Sequence, residues 1–137
     1  MDYNTYLQNN SLYNTAPVFA IYGVHETLHW IKKNGGVSGM EKRNREKAEM
    51  LYSTIDNSSI YKGIADKDSR SFMNVTFRVN NDEELEKKFI KEASTNKILG
   101  IKGHKLMGGL RASLYNAVSI EDVKTLCDFM KDFEKRL

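Results

Sequence analysis

Four side chains able to carry positive charge and three glycines fall within one short stretch, Lys102-Gly103-His104-Lys105-Leu106-Met107-Gly108-Gly109-Leu110-Arg111-Ala112-Ser113-Leu114-Tyr115-Asn116. Glycine permits tight turns and lets main-chain N–H groups come close to a ligand. Arginine offers a planar fork that grips a carboxylate through two hydrogen bonds. Arg111 falls in an alternating run, with Leu110, Ala112 and Leu114 on one side and Arg111, Ser113 and Tyr115 on the other. A charge placed there among apolar neighbours is costly without a partner anion. The stretch reads as a site for a small organic acid, with a basic surface loop as the plain alternative.

A second pattern, His25-Glu26-Thr27-Leu28-His29, matches H-E-x-x-H letter for letter. On a helix it sets both histidines one turn apart, where they can chelate zinc while the glutamate acts as base. A catalytic zinc needs a third protein ligand, and no neighbouring motif supplies one. The reading adopted is two histidines on a partly exposed helix face, with no metal site assigned. Cys127, the single cysteine, sits on an apolar helical stripe and reads as a small buried hydrophobe.

Composition narrows the class. A chain of 137 residues, 40% hydrophobic and 28% charged, suits one soluble domain of ordinary size. A net charge of +3 is too small to argue for nucleic acid or an anionic membrane. No apolar run approaches the about 20 residues that span a bilayer. One cysteine allows no internal disulfide, which fits a reducing, cytoplasmic setting.

The elements that must position these groups follow from periodicity. Met1 to Ala16 reads as an extended or irregular arm. Pro17 stands where a helix can start, and Val18 to Lys33 reads as a helix ended by Asn34-Gly35-Gly36. Its apolar residues cover much of its circumference, so it expects partners on more than one side. Ser38 to Ile55 reads as a second helix, with Glu41, Lys42, Arg43, Arg45, Glu46, Lys47 and Glu49 forming a solvated charged face. A short strand is expected at Ile60-Tyr61 and a clear one over Phe72 to Val79. Asn81 with Glu84 predicts a capped helix, Ile98 to Ile101 a short strand, and Leu110 to Tyr115 another. Ser119 with Asp122 opens the last helix. The order predicts an α+β domain, a small sheet covered by helices on one face.

The run Gly103 to Ala117 resembles the C-terminal signature of the phosphoserine aminotransferases, members of the class-V, fold-type-I pyridoxal-phosphate aminotransferases. Asn14-Thr15-Ala16-Pro17-Val18-Phe19-Ala20-Ile21-Tyr22 resembles the family's Asn-Thr-Pro-Pro segment and the helix after it. Gly35-Gly36, Met40-Glu41-Lys42-Arg43-Asn44 and Lys47-Ala48 resemble its connecting helix, Arg70 with Met73-Asn74-Val75 its first small-domain strand, and Leu85-Glu86-Lys87-Lys88-Phe89 the helix that follows.

The resemblance implies a mostly antiparallel sheet in a C-terminal small domain at 37–137. Residues 1–36, with the arm and first helix, would belong to the cofactor-domain side. It implies that His104 and Lys105 meet a substrate phosphate and Arg111 the substrate α-carboxylate. Asn14 and Thr15 would reach the cofactor phosphate, that of the partner subunit in a homodimer. Lys105 stands where the family often has arginine, and Ala16 where it has proline. The implied reaction exchanges an amino group between glutamate and 3-phosphohydroxypyruvate in serine biosynthesis.

Family chains are longer, and the Schiff-base lysine maps to no residue here. The expectation is a C-terminal fragment, Met1 falling at an internal family position, catalytically incomplete alone and prone to self-association through its first two helices. The competing expectations are a stand-alone binding module for a small phosphorylated acid and a zinc hydrolase built on His25, Glu26 and His29.

Overall fold

The computed structural model describes residues 2–137. The chain divides into two units, one running to Gly39 and the other spanning Met40–Leu137.

The first unit is helical. The irregular arm expected over Met1 to Ala16 is corrected by a helix, α1 (Tyr3–Gln8); Met1 itself lies outside the described residues. Asp2 caps α1 by accepting the Asn4 amide at 2.9 Å. Asn10 and Ser11, at φ 51° and 62°, stop it in the left-handed region. Helix α2 (Val18–Lys33) lies where periodicity placed it, with Pro17 at the N-cap and Asn34 at the C-cap. Among the described residues, α2 has none buried, and Phe19 is 88% exposed.

Helix α3 (Gly36–Asp56) begins within the first unit and continues into the second. Strands β1 (Tyr61–Gly63), β2 (Asn74–Val79), β3 (Lys102–His104) and β4 (Gly108–Ser113) follow, with α4 (Glu83–Thr95) and α5 (Ile120–Lys135). The sheet is antiparallel throughout, in the order β1-β2-β4-β3. Val75, Phe77 and Val79 alternate with half-buried Asn74, Thr76 and Arg78. The buried set joins α3, α4 and α5 in one core, so the helices cover one sheet face and the other stays polar. Phe89 centres that core, with edge-on contacts to Tyr61, Phe77, Phe129 and Phe133 at centroid distances of 5.1–6.2 Å.

Several boundaries differ from expectation. Helix α3 starts at Gly36 and not Ser38, β2 starts at Asn74 and not Phe72, and β4 runs over Gly108–Ser113 and not Leu110 to Tyr115. Asn81 does not cap α4. Asn80 and Asn81 take φ of 50° and 53° to make the turn, and Asp82 accepts the Glu84 and Leu85 amides instead. The strand expected at Ile98 to Ile101 forms later, at Lys102–His104, because Lys97 and Gly100 take left-handed φ of 63° and 72° and break the extended run. Beyond Ile60, β1 starts at Tyr61. The Ser119–Asp122 capping box of α5 forms as read.

The loop before β2 is tied to the end of α3. The Arg70 guanidinium donates to both oxygens of Asp56 at 2.7 and 2.6 Å and lies 4.4 Å over the Tyr52 ring. Tyr52 donates to the Ser71 carbonyl at 3.0 Å. The Arg70 hydrogen bonds hold the Asp56 carboxyl below its ordinary value of 3.8. A lowered folded-state value stabilises above the unfolded value, and that stability is lost as pH falls through the folded value. Asp56→Asn is therefore expected to lower stability at about pH 7 and to differ less from wild type at about pH 2.5. Urea unfolding at both pH values checks this, and an equal gap at both overturns it.

Candidate functional site

The polar face of the sheet carries the charged groups singled out in the sequence. Thr76 pairs with Arg111 across β2 and β4, and Asn74 with Ser113, whose hydroxyl donates to Asn74 Oδ1 at 3.1 Å. Arg111 is half-buried, and its Nε is buried without a hydrogen-bond partner. The described residues give its guanidinium no ion pair. Among the described residues, Arg70 and Arg78 also have an Nε without a hydrogen bond, but each has a carboxylate beside it and Arg111 has none, so Arg111 is the one left able to take an acceptor from outside. Its backbone is fixed by donation to the Ile101 carbonyl at 2.8 Å.

His104 and Lys105 sit exposed on the β3–β4 hairpin. His104 Nδ1 accepts the Leu106 amide at 3.2 Å. In the neutral ring that leaves Nε2 as the N–H donor. The hairpin is drawn tight by Gly103, where a Cβ would run into the Gly108 and Gly109 carbonyls. The structure does not gather the three residues into one cavity. Arg111 borders a cavity of about 740 Å³ between the 96–101 loop, the end of β4 and the start of α5. His104 and Lys105 border a groove of about 470 Å³ against α4. Asn14 and Thr15 lie exposed in the first unit, where Asn14 Nδ2 donates to the Tyr6 hydroxyl at 3.1 Å.

Two residues that hold the site's framework were not singled out for it in the sequence. Arg78 lies over Gly109, at φ 67°, where a Cβ would sit 2.9 Å from Arg78 Cδ. Arg78 Nε is 2.6 Å from Glu86 Oε1, so α4 holds it in place. The second is Lys47, expected on a solvated face but fully buried. Its three ammonium N–H groups donate to the Leu114, Tyr115 and Val118 carbonyls at 3.1, 2.8 and 3.0 Å. Burial, then the charge of Arg43, pushes its pKa down. Asn44, one turn earlier, donates to Asn116 Oδ1 at 2.7 Å. The Lys47 signal was its place on the Met40-Asn44-Ala48-Leu51-Ile55 stripe, since the position three after Asn44 and four before Leu51 faces the core whatever residue fills it.

The Met40–Leu137 unit is thus an antiparallel α+β layer that keeps an arginine without an ion pair on its polar face, beside a basic hairpin. The sequence profile described as Aminotransferase class-V matches residues 1–126, and the chain belongs to that family. Within it the chain is similar to the C-terminal portion of phosphoserine aminotransferases. It is 53% identical over 134 residues to the one from Desulfosudis oleivorans, covering 97% of this chain and 37% of that protein. It is 52% identical over 136 residues to the one from Bacillus subtilis, with 98% and 38% covered. The solved phosphoserine aminotransferase of Bacillus circulans subsp. alkalophilus superposes with a TM-score of 0.91 at 50% identity, over 98% of this chain and 37% of that one. The PLP-bound enzyme from Trichomonas vaginalis gives 0.85 at 38% identity, over 95% and 37%. The chain thus spans well under half the length of these relatives.

Lys47→Met keeps the length of the side chain and removes all three donors. It is expected to destabilise the Met40–Leu137 unit by about 3 kcal/mol, because three inward carbonyls lose their partner. Denaturant unfolding checks the size, and a loss under about 1 kcal/mol overturns the assignment.

Proposed function

We propose that this chain is the substrate-side part of a phosphoserine aminotransferase, which exchanges an amino group between glutamate and 3-phosphohydroxypyruvate. The observation that carries the reading is the buried, partnerless Nε of Arg111 on the polar sheet face. A guanidinium held there by β4 suits the α-carboxylate common to both substrates. His104 Nε2–H donates to a phosphate oxygen, and Lys105 adds a point charge without arginine's fork. Phosphate and carboxylate then meet separate groups, in keeping with the two separate hollows that Arg111 and the hairpin residues border.

Asn14 and Thr15 offer an exposed amide and hydroxyl, which fit the phosphate end of pyridoxal phosphate, in a homodimer that of the partner subunit. Bound in the whole enzyme, that cofactor supplies the electron sink for amino transfer. This chain's share is to bind and orient the acid. In this reading residues 1–36 lie on the cofactor-domain side and 37–137 form the small domain. The setting is cytoplasmic, which suits the buried, unpaired Cys127. Among the described residues, no helix is long and apolar enough to cross a membrane. The exposed apolar residues of α2 favour self-association of these residues on their own.

A graft tests the reading. The 137 residues replace the matching portion of the Bacillus subtilis relative. The chimera is expected to transaminate 3-phosphohydroxypyruvate with glutamate. Arg111→Lys is expected to cut kcat/KM about a hundredfold through loss of the bidentate grip. The 137 residues alone, given pyridoxal phosphate, are expected to show no turnover. An inactive but folded chimera, or full activity in Arg111→Lys, overturns the assignment. Tight phosphoserine binding by the isolated chain in calorimetry would favour a stand-alone binding module instead.

A further inference from the structure

The match His25-Glu26-Thr27-Leu28-His29 has no part in the function proposed above. It lies in the middle of α2, which places His25 and His29 one turn apart on one face. Their rings meet edge-on with centroids 4.2 Å apart. Glu26 joins them, and one ligand atom from each of the three lies within 4.8 Å of the others. At ordinary zinc bond lengths, ligand atoms on a tetrahedral ion lie about 3.4 Å apart. Side-chain rotation closes the remaining distance, at most about 1.4 Å, and all three residues are exposed. None of the three side chains makes a hydrogen bond or ion pair among the described residues, so only the ring contact must adjust to admit an ion.

The third ligand that the bare motif lacked is therefore Glu26 itself. This alters the chemistry. A carboxylate that ligates the ion does not act as free general base, and among the described residues no other histidine, cysteine or carboxylate joins the cluster. Two imidazoles and a carboxylate suit a borderline divalent ion, zinc or a late first-row neighbour, and not magnesium or calcium, which prefer oxygen. Three donors leave a coordination position open to water.

We infer that His25, Glu26 and His29 form a surface binding site for one divalent transition-metal ion on α2. The inference stands apart from the aminotransferase reading, and its test does not use activity. Zinc chloride is titrated into the untagged, chelator-treated 137-residue chain by calorimetry. One ion per chain is expected, with no heat from magnesium chloride. His25→Ala and His29→Ala are each expected to weaken binding at least about tenfold, since losing even an outer-shell partner of a ligand costs about that much. Glu26→Gln is expected to weaken it measurably. Far-UV circular dichroism checks that the variants stay folded. Cobalt(II) gives a second readout, visible absorption bands that disappear in the double histidine variant. No zinc heat, zinc binding retained in that double variant, or Glu26→Gln binding as tightly as wild type overturns the site.

Discussion

The ammonium of Lys47 organises the Met40–Leu137 unit. It is fully buried, and each of its three N–H bonds meets one carbonyl, those of Leu114, Tyr115 and Val118. Those carbonyls belong to the turn between β4 and α5, whose own backbone pairing is sparse: the Leu114 amide donates to Met73 and the Val118 amide to Tyr115. Burying a cation is expensive unless charge-assisted bonds satisfy it, and three matched acceptors supply that compensation. The downward pressure on its pKa is the trace of the desolvation that remains. One side chain from α3 thus fixes where β4 ends and where Ser119 begins α5.

That fixed end matters because Arg111 lies two residues before Ser113, the last of β4. Its neighbours Leu110 and Ala112 are anchored in the core, and its amide is bonded to Ile101. With the backbone held on both sides, the guanidinium has little freedom except along its own rotamers. Orienting groups built on strands hold position better than groups on loops. His104 and Lys105 are the opposite case, on a hairpin tip whose Leu106 and Met107 are exposed. In the proposed function, the carboxylate end of a substrate would meet a rigid group and the phosphate end an adaptable one.

Much of this was legible in the residues. Alternation in β2 and β4 named the buried face, and Ser119 with Asp122 named the start of α5. The failures share a cause: residue type was weighed above position. Lys47 looked solvated because it is lysine, although its spacing put it on the buried stripe. Asn81 looked like a cap because asparagine caps helices, yet asparagine equally tolerates the left-handed φ found there, and Asp82 was next in line. Ile98 to Ile101 looked extended, but left-handed backbone at Lys97 and Gly100 leaves only Ile101 fully buried. Such preferences are degenerate locally and are decided by tertiary packing.

The two arginines on the polar face show how packing decides which charge stays available. Arg78 and Arg111 occupy equivalent alternating positions on adjacent strands, and sequence pattern does not separate them. Glu86 reaches from α4 to within 2.6 Å of Arg78 and also accepts the Val79 amide, so that cation is neutralised where it stands. Arg111 faces Thr76 across the strand pair, an uncharged partner that leaves its Nε without an acceptor. The difference lies in the reach of one buried carboxylate. A helix that placed an acid opposite Arg111 as well would close the site. Keeping it open leaves an unsatisfied donor in the free protein, a cost that an incoming carboxylate would remove under the proposed function.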